Sequence, residues 1–389
     1  MRYSSKILVS ALAVALSLGM TASPSSAAGL VASTPQKTTS FNGTVNTVVY
    51  SGSTIYVGGS FTEATDATGK VFSRRSAAAI NAKTGRVMSW NPYTNGTVNA
   101  IAVKGRYVYL GGAFSRACGH ALHNVAKVAA AKYGRVFPAF KFRTSQPVHA
   151  MARRGRFLYV GGDFTRMKGK SRVRLAAINL RTVRLARWTP SASGVVRVIK
   201  TSPKRVFVGG QFMSLNGSAK TPNLGMLRRE DGKRIRGFRS TIDRTRPVAD
   251  IEVTRRRIYA GSGGTGGRMT VLRRNTGRTL WARTFDGDVD SLAAMNRRIY
   301  IGGHFENVCK TSRTGKAGVC LDGAVPRGKL AAYGIGGRLV PWSPMTDSAD
   351  GVLALTKSTT LNELSAGGAF VKFHGGTIKQ RAFAQFKAP

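Results

Sequence analysis

The feature that most constrains this fold is a seven-residue signature that recurs along the chain. Five copies read IYVGGSF (55–61), VYLGGAF (108–114), LYVGGDF (158–164), VFVGGQF (206–212) and IYIGGHF (299–305). Two degraded copies read IYAGSGG (258–264) and SAGGAF (365–370). Such a spacing predicts an array of similar units, each of which buries its apolar face on its neighbours. We number these units 1 to 7 in chain order.

The residues around each signature predict four short strands per unit. The stretch VNAIAVKGRYVYL (98–110) alternates apolar and polar residues around Lys104-Gly105, which predicts a β-hairpin. Further along, SAAAINAKTGRVMSWNP (76–92) predicts a third strand, a turn, and a fourth strand that ends in Trp-x-Pro. We therefore predict an all-β chain that forms a single seven-bladed β-propeller with four-stranded blades.

The two ends of the chain predict how the ring closes. The last unit ends with its third strand, at 381–387, and has no fourth. Residues 37–48, KTTSFNGTVNTV, match the end of a fourth strand that leads into a new unit. We expect this N-terminal segment to complete the last blade, which would remove the free sheet edges of an open array.

The pattern YVGG-x-F, then L-A-x-I/L-N/D-x-x-T-G, then W-x-P resembles the delta-60 repeat β-propellers of secreted bacterial proteins. The resemblance covers essentially the whole chain after residue 28, and it implies a propeller fold and an extracellular setting. It implies no catalytic residues, because that family has none in common. Unit 5 departs from the pattern with GSGGTGG, and unit 6 carries a long insertion.

Residues 1–28 have the features of a secretory signal peptide. Arg2 and Lys6 precede an apolar run at 7–20, and small residues allow cleavage near Ala27 or Ala28. The run is short for a membrane span, and no later segment is long and apolar enough to be one. We expect a secreted or cell-wall-associated monomer whose propeller occupies residues 29–389.

Export permits disulfides. Cys309 and Cys320 bracket the insertion of unit 6, and we expect them to be bridged, which leaves Cys118 unpaired. An alternative metal site with Cys118, His120 and His123 matches no strong zinc pattern and has few local ligands.

The chain is strongly basic. Sixty-one Lys and Arg against 16 Asp and Glu give a net charge of +45, which predicts attraction to polyanions. The candidate contacts lie in hairpin turns: Arg153, Arg154, Arg156, Arg255, Arg256 and Arg257. Candidate partners are teichoic acid, an acidic polysaccharide or nucleic acid. The alternative is that the charge serves solubility alone.

A second candidate site comes from aligning the innermost strands at their first residues. The aligned position holds Asn46, Asn99, His149, Arg197, Ala249, Asp290 and Leu353. The polar members, Asn46, Asn99, His149, Arg197 and Asp290, are expected to ring one mouth of a central channel. They would bind a small polar ligand there, or simply line a water-filled channel.

No cofactor is expected, and calcium is the one ion that the sequence suggests. Asp286, Asp288 and Asp290 alternate on a glycine-containing turn, which suits Ca²⁺, although the downstream Glu of a complete calcium loop is missing.

We find no GxSxG, HExxH, paired CxxC or P-loop motif in the sequence. The sequence therefore favours a secreted, non-catalytic propeller that binds an anionic extracellular or cell-wall polymer. The alternative is an enzyme that uses the channel. It could be a quinoprotein-like oxidoreductase, since the third-strand pattern also resembles quinoprotein blades. It could instead be a polysaccharide-acting enzyme, for which 286–290 offers paired carboxylates.

Overall fold

A computed structural model describes Met1, residues 29–348 and residues 350–388. The predicted signal sequence, apart from Met1, lies outside the described residues. Among the helices of the described part, none combines the length and the apolar character needed to cross a bilayer.

Each signature forms the second strand of an antiparallel sheet, between a first and a third strand. The first strands are Val45–Ser51, Thr97–Lys104, Val148–Arg154, Val195–Thr201, Val248–Val253, Val289–Met295 and Val352–Ser358. The second strands are Thr54–Gly59, Tyr107–Ala113, Phe157–Gly162, Arg205–Gln211, Arg257–Ser262, Arg298–Gly303 and Glu363–Gly368. The third strands are Ala77–Asn81, Val125–Ala129, Leu175–Asn179, Leu224–Arg228, Gly267–Arg273, Leu330–Gly334 and Phe383–Lys387.

Shorter elements decorate the loops. Two-residue hairpins pair Arg116–Ala117 with His120–Ala121, Arg166–Met167 with Lys170–Ser171, and Lys372–Phe373 with Ile378–Lys379. A small sheet contains Ser40–Phe41, Glu63–Thr65 and Val71–Ser73, and the insertion of unit 6 adds Asn307–Cys309 and Ala324–Pro326. Three 3-10 turns lie at Lys132–Gly134, Lys316–Gly318 and His374–Gly376.

The prediction of a fourth strand in every unit is wrong for most units. Among the described residues, a fourth strand forms in unit 3 (Arg184–Leu185) and in unit 5 (Thr279–Phe285). Units 1, 2, 4 and 6 have a single bridge there: Ile80 with Val87, Val128 with Val136, Leu227 with Arg234, and Tyr333 with Leu339. The complete strand occurs where Trp281 is followed by Ala-Arg. After Trp90, Trp188 and Trp342 a proline comes two residues later, and proline cannot donate to a ladder.

Neighbouring units share their apolar cores. Tyr56 and Trp90 of unit 1, for example, are buried in one cluster with Val98 and Leu110 of unit 2. The tyrosine of the signature meets the tryptophan edge-on, with ring centroids 4.9 Å apart in this pair. The glycine pair allows the close approach of units: a Cβ on Gly161 would lie 2.5 Å from Cγ1 of Val196. These contacts explain why the signature recurs.

The first strands pack side by side in chain order, and the first strand of unit 7 also packs on that of unit 1. The N-terminal segment runs beside the third strand of unit 7. There the Ala32 N–H donates to the Lys387 carbonyl at 2.9 Å, and the Gln36 N–H donates to the Gln385 carbonyl at 2.9 Å. Phe41 is buried between Phe61 and Phe383, with centroids 4.3 and 6.3 Å away.

The predicted disulfide between Cys309 and Cys320 is confirmed, with a Cα–Cα distance of 5.1 Å. Cys118 is a free thiol and half-buried, and burial raises the pKa of this thiol.

Candidate functional site

Each first strand has a β-bulge near its start, and the bulged residues form the cavity site. In unit 1 the pairing with the second strand shifts between Val45 and Thr47, so Asn46 has no direct partner. The same shift occurs in the other described units, and the bulged residues are Asn99, His149, Arg197, Ala249, Asp290 and Leu353. A bulge re-aims a side chain. All seven residues line one cavity of about 510 Å³, so the structure brings the five polar candidates together.

Several of these polar side chains serve to join units. Asn46 Nδ2 donates to Asn99 Oδ1 at 3.2 Å, and Asn99 Nδ2 donates to the Val148 carbonyl at 3.2 Å. His149 Nε2 lies 2.7 Å from Oδ2 of Asp163, which follows the glycine pair of the same unit. Much of the hydrogen-bonding capacity at the mouth is therefore used within the protein.

In unit 6 a histidine and two carboxylates lie close together, and one of them, Asp290, lines the cavity. His304 Nδ1 lies 3.8 Å from Asp290 Oδ2, and the Asp290 carboxylate raises the pKa of His304 against the opposing effect of burial. Asp288 Oδ1 accepts from the Gly264 N–H at 3.1 Å. Burial and the Asp290 charge together raise the pKa of Asp288.

Asp286, the first aspartate of the predicted calcium turn, has a structural role. Asp286 Oδ1 accepts from the N–H groups of Glu306 and Asn307, both at 2.9 Å, and Oδ2 accepts from Asn307 Nδ2 at 2.7 Å. Other units place an acceptor oxygen at the same point of the chain, on Asn42, Asn95, Ser145, Ser193 and Asp347. Asp286 is thus bound by the backbone of residues 306 and 307, whereas Asp288 and Asp290 both lie near His304. No group of three His, Cys, Asp or Glu side chains suited to a metal is found within the described residues, including around Cys118.

Deeper in the cavity lies a charged cluster that the sequence analysis did not identify. Lys200 Nζ lies 3.6 Å from Asp250 Oδ1 and 3.9 Å from Glu252 Oε2, and Lys357 pairs with the other oxygen of Glu252. Burial lowers the pKa of Lys200, but the two carboxylates outweigh it and the net shift is upward. Burial raises the pKa of Asp250. The alternation of a strand could have predicted this cluster. Asp250 and Glu252 lie one and three residues after Ala249, and Lys200 lies three residues after Arg197, so all three belong to the cavity-lining face.

The predicted arginine contacts lie at the opposite end of the first strands from the cavity mouth. We call the set of turns between first and second strands the hairpin face. Its cationic residues come from units 2 to 6: Lys104, Arg106, Arg153, Arg154, Arg156, Lys204, Arg205, Arg255, Arg256, Arg257, Arg297 and Arg298. Of the six candidates, five are exposed. Arg257 is the exception, since it is half-buried and its guanidinium donates to the Ile335 carbonyl.

The acidic residues are placed elsewhere. Asp250 and Glu252 line the cavity. The others at or near the hairpin end are Glu230 and Asp231, in a neighbouring turn, and Glu363, which is buried. The loops at the mouth end hold the rest: Glu63, Asp66, Asp163, Asp243, Asp286, Asp288, Asp290, Glu306, Asp322, Asp347 and Asp350. Most of the acids therefore lie at the mouth end, and the hairpin turns of units 2 to 6 hold none.

Comparison with known proteins shows the fold. No protein-family model and no curated protein matches the chain. Among solved structures, the chain is similar to the WD40 β-propeller domain of Doa1, with a TM-score of 0.57, 12% identity, and coverage of 91% of this chain and 97% of that one. It is also similar to U3-55K, with a TM-score of 0.56, 12% identity, and coverage of 92% and 100%. A computationally designed protein, Ika8, is similar as well, with a TM-score of 0.52, 13% identity, and coverage of 91% of this chain and 100% of that one. At such identities the likeness shows a β-propeller fold and nothing about function.

Proposed function

We propose that the chain is a closed seven-bladed β-propeller and a secreted member of the delta-60 repeat group. The packing of first strands in cyclic order and the pairing of residues 32–36 with the last sheet support closure. The signatures and the Trp-x-Pro segments support the family.

We further propose that the protein binds an anionic extracellular or cell-wall polymer through its hairpin face, without catalysis. The observation that carries this proposal is the separation of charge: five consecutive units present cations there, while most acids lie at the mouth end. If the positive charge served solubility alone, there would be no reason for the turns between first and second strands of units 2 to 6 to hold cations and no acid. An array of mostly exposed Arg and Lys suits a long polyanion, which gains from many weak contacts and from the release of counterions.

The test measures binding of fluorescently labelled polyphosphate at two salt concentrations. Wild-type affinity should fall steeply between about 50 and 200 mM salt, as counterion release requires. Replacing Arg153, Arg154 and Arg156 by Ser should weaken binding and flatten the salt slope while the melting curve stays nearly unchanged. The matched control removes three cations from the mouth end of the same unit: Arg166, Lys168 and Lys170 to Ser.

Only a larger loss in the hairpin variant supports the proposal. Equal losses would mean that net charge alone attracts the probe, and an absence of binding would contradict the function.

A second candidate function is hydrolysis of a polysaccharide at the cavity mouth. The upward pKa shift of Asp288 favours it, because a general acid needs a raised pKa and a second carboxylate nearby, here Asp290. The test is release of reducing sugar from acidic polysaccharides by the wild type and by Asp288→Asn. Turnover that is lost in this variant would establish the enzyme; no turnover in either protein is the result that polymer binding alone predicts.

A further inference from the structure

A cleft between units 3 and 4 opens at the hairpin end of the molecule. Its volume is about 740 Å³, and it is lined by Arg156, Phe157, Pro203, Lys204, Arg205, Arg228, Arg229 and Glu230. A smaller cavity of about 290 Å³ shares Phe157, Arg229 and Glu230 and continues toward Tyr159 and Trp188. The wall thus combines five cations with one carboxylate.

Arg229 is the central cation of this cleft. Its Nη1 lies 3.5 Å from the place of a Cβ on Gly155, so the side chain reaches from unit 4 to the hairpin tip of unit 3. Its Nε is buried and has no hydrogen-bond partner among the described residues. Burial raises the pKa of Tyr159 to about 12, and the nearby Arg229 charge acts in the opposite direction. The Arg229 guanidinium thus keeps donor capacity that the protein does not use, and an oxyanion in the cleft would pair with its charge.

The propeller provides an internal comparison for this place. In unit 4 the carbonyl of Arg228 accepts from Trp188 Nε1 at 3.2 Å, and the carbonyl of Arg229 accepts from the Tyr159 hydroxyl at 3.3 Å. In unit 2 the same two bonds, from Trp90 and Tyr56, end on the carbonyls of Ala129 and Ala130. The fold therefore needs only the backbone at these two positions, and the guanidinium groups of unit 4 are extra to it.

The unpaired cations of the cleft indicate an oxyanion that several donors can contact at once. Asp231 pairs with Arg228, and Arg156 lies over the ring of Phe157, 5.2 Å from its centroid. Lys204, Arg205 and Arg229 face no carboxylate in an ion pair among the described residues. A single carboxylate would neutralise one of these three cations, whereas a phosphate or sulfate group presents several oxygens to Arg donors at once.

We propose that this cleft between units 3 and 4 is a specific site for a phosphate or sulfate group carried by the polymer. The inference rests on the proposed function, since it assigns one defined subsite within the basic surface. It adds that binding is saturable and localised, which a uniform cationic surface would not produce.

The test is isothermal titration with inorganic tripolyphosphate, with a sulfated disaccharide and digalacturonate as further arms. Wild type should bind tripolyphosphate or the sulfated sugar at one saturable site, and the stronger of the two identifies the group. The variant Arg205→Gln/Arg229→Gln should lose at least about tenfold in affinity, because it removes two charge-assisted contacts. The charge-matched control Arg166→Gln/Lys170→Gln, at the mouth end, should change it by less than about threefold, since those exposed charges lie far from the cleft and are screened by salt. Glu230→Gln should tighten binding, because it removes the one carboxylate of the cleft wall. This variant tests the site even if the double variant folds poorly.

The outcomes separate the two proposals. Equal losses in the two double variants, or digalacturonate binding as tightly as tripolyphosphate, overturn the cleft site. If polyphosphate still binds in a salt-dependent way, the proposed function stands without it. If neither small nor polymeric anions bind, both fail.

Discussion

The seam between the two ends of the chain gives the sharpest structural prediction, and Phe41 tests it. Phe41 is 1% exposed and packs on Phe61 and on Phe383 of the last unit. Truncating a buried Phe to Ala costs about 3–5 kcal/mol. With an unfolding entropy of about 2.1 cal/mol/K per residue over roughly 360 residues, 1 kcal/mol corresponds to about 1.3 °C. Phe41→Ala should therefore lower the Tm by about 4–7 °C in a calorimetric melt.

A double-mutant cycle with Phe383→Ala shows whether the loss belongs to the seam. Contacting residues should couple by about 0.5–3 kcal/mol. Phe140→Ala, at a buried site away from the seam, sets the scale of an ordinary core loss, and the exposed Tyr133→Ala should stay within about 0.5 kcal/mol of wild type. Additive losses for Phe41 and Phe383, or a Phe41 variant as stable as the Tyr133 variant, would refute the closure argument.

Three further predictions concern individual groups. Asp286→Ala should cost about 1–3 kcal/mol in a melt, because two backbone N–H groups lose their acceptor; a Tm that rises markedly with added Ca²⁺ in the wild type would instead revive the calcium site. The folded pKa of His304 lies above its unfolded value of about 6.5, so its contact with Asp290 stabilises the fold below that pH, and this contribution is lost as pH rises through the folded pKa. The Tm of wild type should thus fall more between pH 5.5 and 8 than that of His304→Gln, and parallel curves would contradict this. Replacing Cys309 and Cys320 by Ser should lower the free energy of unfolding by at most about 3 kcal/mol, since the bridge closes an 11-residue separation. It should also speed tryptic cleavage at Lys316, and unchanged cleavage would show that the bridge does not hold the loop.

Much of the fold could be predicted from the sequence, because the same strand pattern occurs seven times along the chain. Aligning the first strands at their first residues grouped Asn46, Asn99, His149, Arg197 and Asp290, and these five line one cavity. The strand register gives the cause, which is a bulge opposite the glycine pair. Strand alternation alone does not reveal a bulge, because the bulge breaks the period of two.

Other features depended on contacts between units that a sequence pattern does not show. Asp286 could be read as an ion ligand until its carboxylate was seen to accept from the backbone N–H groups of residues 306 and 307. Lys200 and Glu252 belong to different units, so their pairing needed the packing of neighbouring first strands. The fourth strand was over-predicted because apolar residues before Trp-x-Pro or Phe were taken as a strand, whereas units 1, 2, 4 and 6 make a single bridge there.

The measurement that tests the central claim most directly is arginine footprinting. The protein is treated with phenylglyoxal with and without polyphosphate, and modified peptides are identified by mass spectrometry. We predict that polyphosphate protects Arg153, Arg154 and Arg156 on the hairpin face, while Arg166 and Arg313 at the mouth end stay reactive. Equal protection at both ends, or protection confined to the mouth end, would contradict polymer binding by the hairpin face.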